Sequence, residues 1–279
     1  MDRKATARET LSILQQGYYE YEGKKIDIAE AQTHSVKNSV LITPEEGAKL
    51  LERYESGVCR TDGHCDITVA NISTVDAIRN MARETGSIGV LNFASAKNPG
   101  GGFLNGAMAQ EESLAASSGL YKTLTVNETY YRVNRATSSM IYTDHAIYSP
   151  DVVFFRDGRF ELVEKPVTAS VLTLPAVNMG QVLQKGEDVE EAGRSMKRRM
   201  AIALAIFADR GERRLVLGAY GCGVFRNDPA MVAAWWKEHL EGPFSGCFDE
   251  IVFAVLDRSK NSACINAFMS IWGGDCHEA

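Results

Sequence analysis

The chain has 279 residues, 45% of them apolar and 24% charged, with a formal net charge of −6. That is enough chain to bury a sizeable core and an ordinary globular composition, which excludes a disordered or fibrous protein. No apolar run approaches the ~18 residues that span a bilayer, and the acidic balance lacks the basic stripe by which a nucleic-acid binder grips phosphates along its length.

The predicted elements begin with a polar helix from Arg3 to Gln16, then an alternating stretch from Tyr18 to Ile28 that reads as a hairpin turning at Gly23. A helix is predicted from Thr43 to Tyr54, because Thr43-Pro44-Glu45-Glu46 supplies an N-cap, a first-position proline and first-turn acids. These 60 residues read as an N-terminal accessory extension. From residue 66 strands alternate with helices, which implies a sheet sandwiched by helices. Strands are predicted at Ile67 to Asn71, Ile88 to Phe93, Val152 to Phe155, Val167 to Leu174, Arg214 to Leu217 and Ile251 to Leu256. Helices are predicted at Thr74 to Glu84, Glu111 to Leu124, Glu187 to Arg210, Pro229 to Leu240 and Ser262 to Trp272.

The polar stretch Met1 to Thr10 lacks the apolar centre of a secretory signal, so a cytoplasmic protein without a membrane anchor is expected. Six cysteines, Cys59, Cys65, Cys222, Cys247, Cys264 and Cys276, show no CxxC spacing and read as reduced thiols. Cys59, His64 and Cys65 have no second Cys/His pair at finger spacing, so no metal site is expected.

Two glycine-rich loops carry the chemistry. In Asn98-Pro99-Gly100-Gly101-Gly102 the three glycines let backbone N–H groups approach an anion with no Cβ in the way, and Gln110-Glu111-Glu112 follows after seven residues. An acidic pair beside an anion-binding loop suggests glycosidic chemistry on a nucleotide sugar, although first-turn acids also suit a helix dipole for structural reasons alone. Gly221-Cys222-Gly223-Val224-Phe225 follows an apolar strand and precedes Asn227-Asp228-Pro229, a helix start whose amides suit a diphosphate. Its glycines also fit a tight connection that serves only geometry. Arg226 stands where a dinucleotide fingerprint needs a third glycine, and Lys25 where a P-loop after Gly17 needs Ser or Thr, so both of those readings are disfavoured.

Gly100-Gly101-Gly102 with Gln110-Glu111-Glu112 resembles the signature of poly(ADP-ribose) glycohydrolases, and the whole length is similar to their bacterial type. Val90 to Ser95 resembles the macrodomain strand Val-x-Asn-Ala-Ala-Asn, and Gly221 to Phe225 its second phosphate loop. Ser95 departs from the pattern at the second Asn, with Asn98 as a substitute amide. The resemblance implies a single three-layer α/β/α macrodomain with a mixed central sheet, residues 61–279 forming the core and 1–60 the extension. It also implies hydrolysis of ribose–ribose bonds, from chain ends, without metal or cofactor.

By the same resemblance Glu112 is catalytic, Glu111 binds substrate hydroxyls, and Gln110 supports the geometry. Asn92 contacts ribose, Phe225 with Val224 packs on the distal ribose, and the two loops clamp the diphosphate. Asp66 or Asn71 contacts the adenine, which Leu256-Asp257-Arg258 covers. A neutral Glu112, its pKa raised by a partly closed pocket, is the expected acid. Implied partners are poly(ADP-ribose), ADP-ribose and ADP-ribosylated proteins, without direct nucleic-acid binding. The rival readings are a macrodomain that binds ADP-ribose without cutting and a hydrolase that removes single ADP-ribose units from protein or nucleic acid.

Overall fold

The structure, a computed structural model, describes residues 2–58 and 64–273. Cys59, Cys276 and the boundary expected between residues 60 and 61 lie outside the described residues. In chain order the elements are α1 (Arg3–Gln16), β1 (Tyr18–Tyr21), β2 (Lys24–Asp27), α2 (Ala29–Asn38), β3 (Val40–Ile42), α3 (Pro44–Glu55), β4 (Asp66–Ala70), α4 (Thr74–Met81) and β5 (Ile88–Ala94). A 3₁₀ turn (Phe103–Asn105), α5 (Gln110–Ser117), α6 (Leu120–Thr125), α7 (Glu128–Ala136), β6 (Ala146–Arg156) and β7 (Leu162–Pro175) follow. The chain continues through α8 (Met179–Lys185), α9 (Val189–Asp209), β8 (Arg214–Leu217), α10 (Pro229–Glu241), β9 (Glu250–Ala254) and α11 (Ala263–Trp272).

Seven strands form one sheet in the order β3-β6-β7-β5-β8-β9-β4, parallel except for β6, which runs against both neighbours. Successive side chains of a strand face opposite ways, and the apolar runs exploit this. Val90, Val171 and Val216 pack with Val75, Ile78 and Leu114 of one helical layer. Leu91, Leu172 and Leu217, one position on, pack with Met196, Met200 and Trp236 of the other. Two cores on one sheet make the three-layer macrodomain arrangement. No helix among the described residues is long and apolar enough to cross a membrane.

The hairpin β1–β2 turns where predicted, with φ of 47° at Glu22 and 77° at Gly23, the pair of positive values that a tight hairpin needs. Thr43 caps α3 through a reciprocal bond pair with Glu46. Within the N-terminal stretch β3 is the edge strand of the main sheet, and α1 packs through Ala7 and Leu11 on Phe103, Ala115 and Ala116. Thr10 donates to the Ala116 carbonyl at 2.7 Å, so α1 lies against the helix that opens with Gln110.

Several predictions differ from the structure. The helix expected from Glu111 to Leu124 breaks at Ser118, whose backbone is extended and bridges to Phe154, while Gly119 donates to the Val153 carbonyl at 2.9 Å. Strand β6 thus draws the chain out between α5 and α6. Expected only over Val152 to Phe155, β6 starts at Ala146, with Pro150 and Asp151 absorbed in a register shift after Ser149. Helices α2, α7 and α8 and the three-residue β3 were not predicted; α2 has no side-chain N-cap to announce it. Cys247 is disulfide-bonded, which corrects the reading of six reduced thiols, whereas Cys65, Cys222 and Cys264 are free.

Candidate active site

Strands β5 and β8 pair only as far as Val90 and Val216, which leaves the backbone of Leu91 to Phe93 open on that side. The Gln110 side chain fills the gap like an extra strand: Oε1 accepts from the Phe93 N–H at 2.9 Å and Nε2 donates to the Leu91 carbonyl at 2.8 Å. Helix α5 is therefore bolted by its first residue to the end of β5, and the two glutamates that follow are placed by it.

Glu111 is buried at 3% exposure, and its Oε2 accepts from the Ser95 N–H at 2.6 Å. Burial pushes its carboxyl up to about 8, and the neighbouring Glu112 adds to the shift; the N–H groups of Ser95 and Gly100 and the Asn92 amide work in the opposite direction. The raised pKa belongs to Glu111 because its side chain turns inward, away from water. Glu112 points a different way, as adjacent helical residues must. Its Oε1 accepts from Gly102 N–H at 2.8 Å and its Oε2 from Ala109 N–H at 3.0 Å.

The triple glycine consequently does something other than present free donors to a phosphate. Gly101, with φ of 60°, runs so close to the acids that an added Cβ would stand 3.0 Å from Glu112 Cδ and 3.1 Å from Glu111 Oε2. The backbone can embrace both carboxylates only without a side chain there. Ser95 braces the same turn, its Oγ accepting from the N–H groups of Lys97 and Asn98 at 3.3 and 3.1 Å. A short hydroxyl does this at the position where the macrodomain pattern carries Asn.

In the second loop the free donors are present. Among the described residues, the N–H groups of Gly223, Val224 and Phe225 donate to no protein acceptor, whereas those of Cys222, Arg226 and Asn227 are used within the loop. Asn227 holds the loop shut through bonds to the Val177 and Gly221 carbonyls at 2.8 and 3.0 Å, with Gly221 at φ of 72°. Val224 is 81% exposed at the tip, and the Phe225 ring lies 6.3 Å from that of Tyr142.

Both loops open on one cavity of about 930 Å³, within the ~300–1,000 Å³ typical of small-molecule sites. Asn98, Gly101, Gly102, Gln110, Glu111, Glu112 and the whole stretch Gly221 to Phe225 line it, as do Leu256, Asp257 and Arg258. Gly100 and Asn92 do not. Asn92 lies buried beneath, its amide donating to Thr173 Oγ1 at 3.1 Å and to Glu111 Oε1 at 3.5 Å, with Oδ1 unpartnered. Asp66 and Asn71 also lie off the cavity: Asp66 pairs with His64 at 3.2 Å, and Asn71 brackets the Asp257 backbone with bonds of 3.1 and 2.9 Å. Sequence reasoning missed Arg3, Gly158 and Phe160, which line the cavity from distant segments without any motif, and Met108, two residues before Gln110.

The model of the microbial-type poly(ADP-ribose) glycohydrolase catalytic domain matches residues 7–157. The chain belongs to that family. It is 42% identical to the poly(ADP-ribose) glycohydrolase of Thermomonospora curvata, covering 96% of this chain and 98% of that one with a TM-score of 0.91. The same enzyme bound to the inhibitor ADP-HPD matches at 41% identity over 96% and 98% of the two chains, TM-score 0.89. The Deinococcus radiodurans enzyme in complex with ADP-ribose matches at 42% identity over 88% of this chain and 98% of that one, TM-score 0.82. No curated protein matches the chain in sequence. As a member of this family, the chain is a glycosidase of the macrodomain fold.

Proposed function

We propose that the chain hydrolyses the ribose–ribose O-glycosidic bond of poly(ADP-ribose) from chain ends, releasing ADP-ribose, with Glu112 as general acid and then general base. One observation carries this reading: the Glu112 carboxylate stands at the cavity wall, held by two backbone N–H groups, next to a second carboxyl that is buried. The free N–H groups of Gly223, Val224 and Phe225 take the diphosphate. Phe225 packs on the distal ribose, and Glu111, with Asn92 beneath it, receives the ribose hydroxyls.

A general acid enters the reaction protonated, and Glu112 is the carboxyl placed at the cavity wall to fill that role. Glu112 gives that proton to the leaving ribose oxygen as the C–O bond breaks. The oxocarbenium-like centre left behind is stabilised by the nearby diphosphate. Water then attacks the anomeric carbon and returns a proton to Glu112. ADP-ribosylated proteins are the carriers of such polymers, and no cofactor enters the scheme. Incubation with labelled polymer tests it: ADP-ribose should accumulate, and an intact polymer would reduce the protein to a binding module.

Two expected results arise from the same geometry. ADP-ribose should bind at least ~10-fold tighter than AMP in calorimetry, a difference of about 1.4 kcal/mol, because only ADP-ribose reaches the second loop's donors and the distal-ribose pocket. Equal affinities would dissociate that loop from binding. The second result concerns Glu111, whose pKa of about 8 lies above the ordinary 4.5. Its stabilising contribution is full below 4.5, where folded and unfolded chains both hold the proton, and is lost between 4.5 and about 8 as only the unfolded chain ionises. Glu111→Gln cannot ionise, so its Tm should rise relative to the parent across that window and level off above it. A Tm difference independent of pH would contradict the buried, raised carboxyl.

A further inference from the structure

We infer that the entrance beside Glu112 is a second subsite, formed by Arg3, Met108 and Phe160, which holds the ADP-ribose unit on the leaving-group side of the scissile bond. The inference rests on the polymer hydrolysis proposed above and adds a place for the part of the polymer that remains. Glu112 is a shared lining residue: it borders the main cavity and also a small adjoining cleft between α1, the 3₁₀ turn and the β6–β7 turn. Arg3, Met108 and Phe160 line both spaces as well. A leaving ribose that takes its proton from Glu112 must carry its own adenine and diphosphate out past these three side chains.

Arg3 is exposed, and among the described residues no carboxylate pairs with it. In a chain with net charge −6, an unpaired guanidinium at the mouth of an anion site suits a diphosphate, which it can grip with two N–H donors. Its backbone is fixed, because the first turn of α1 rests on Gly106, where an added Cβ would stand 3.5 Å from Arg3 Cβ.

Phe160 supplies the aromatic face. Its φ of 68° is a left-handed conformation that a bulky residue rarely adopts, and such outliers concentrate at ligand sites. The turn is pinned from both sides. Buried Arg156 donates to the Phe160 carbonyl at 2.9 Å and pairs with Glu9 of α1 at 2.7 Å, while Gly158 N–H donates to Asp76 Oδ1 at 3.1 Å. The half-buried ring is thereby held toward the entrance, next to the exposed Met108, as a platform on which an adenine can stack.

The test compares Arg3→Ala, Arg3→Lys and Phe160→Gly with the parent chain, using hydrolysis of size-fractionated poly(ADP-ribose) and calorimetry with ADP-ribose. Glycine suits the positive φ at 160, so that variant keeps its backbone while losing the ring. Arg3→Ala and Phe160→Gly should each raise the polymer KM ~10-fold with kcat and ADP-ribose affinity unchanged. Arg3→Lys should recover only part of the loss, because it restores the charge without the two-donor fork, and Arg3→Ala should flatten the dependence of KM on salt between ~0.05 and 0.3 M. If the parent digests polymer and both variants keep its KM, the subsite is refuted while the hydrolysis stands. A parallel fall in ADP-ribose affinity would also refute it, assigning these residues to the main cavity. A parent chain that leaves polymer intact would overturn the hydrolysis and the subsite together.

Discussion

Glu112→Gln should lower the rate of polymer hydrolysis by ~10² to 10⁴, about 2.7 to 5.5 kcal/mol in the barrier, with ADP-ribose affinity nearly unchanged. The amide can neither give the proton to the leaving ribose nor take one from water. The substitution is not fully isosteric in its surroundings, because both carboxylate oxygens accept backbone N–H groups, from Gly102 and Ala109. A glutamine has one acceptor to offer and sets an N–H against the other donor, so a destabilisation of ~1–3 kcal/mol is also expected. A thermal melt beside the kinetic assay separates the two effects. Glu111→Gln should slow hydrolysis less, since its side chain leaves the helix ~100° away and acts by positioning. A Glu112→Gln protein with ordinary turnover, or a Glu111→Gln protein that is the more damaged of the two, would break the assignment.

Gly101→Val should be comparably severe, for a reason visible only in the structure. The first Cβ atom would already press on the Glu112 carboxylate, with Cδ at 3.0 Å and Glu111 Oε2 at 3.1 Å, and the φ of 60° is unfavourable for a β-branched residue. Displacing a catalytic group by ~1 Å costs on the order of 10²-fold, so hydrolysis should fall by at least that much. Stability should fall by ~1–3 kcal/mol from backbone strain. Titration with ADP-ribose should show a smaller loss than the kinetics, because the diphosphate donors lie on the other loop. A folded Gly101→Val chain with normal turnover would show that the loop does not hold the acids.

The site was legible in the sequence where chemistry demands a fixed residue type at a fixed spacing. The triple glycine and Gln110-Glu111-Glu112 converge because the turn and the start of α5 both sit at the end of β5. Division of labour between the two loops was not legible. Composition gives an anion-binding look to any glycine run, and only the directions of the N–H groups show that the first run faces its own carboxylates while the second is free. Burial likewise could not be assigned between Glu111 and Glu112 from adjacent letters.

Among the elements, strongly periodic or capped segments such as α3, α9 and α10 were readable. The break at Ser118 was not, because it is imposed by pairing with Phe154, a residue 36 positions on. The early start of β6 at Ala146 was not legible either, because the sheet carries the strand across Pro150 and Asp151 by a register shift. Arg3 and Phe160 carry no local signal at all, since only the packing of α1 and the β6–β7 turn around Glu112 brings them to the site.

The most direct test of the central claim is product analysis during digestion of end-labelled poly(ADP-ribose), with the parent chain and Glu112→Gln run side by side. The parent should release monomeric ADP-ribose from the earliest times while the remaining polymer shortens gradually, and Glu112→Gln should leave the label in full-length polymer. Equal digestion by both proteins, or release from mono-modified protein with the polymer untouched, would contradict the account.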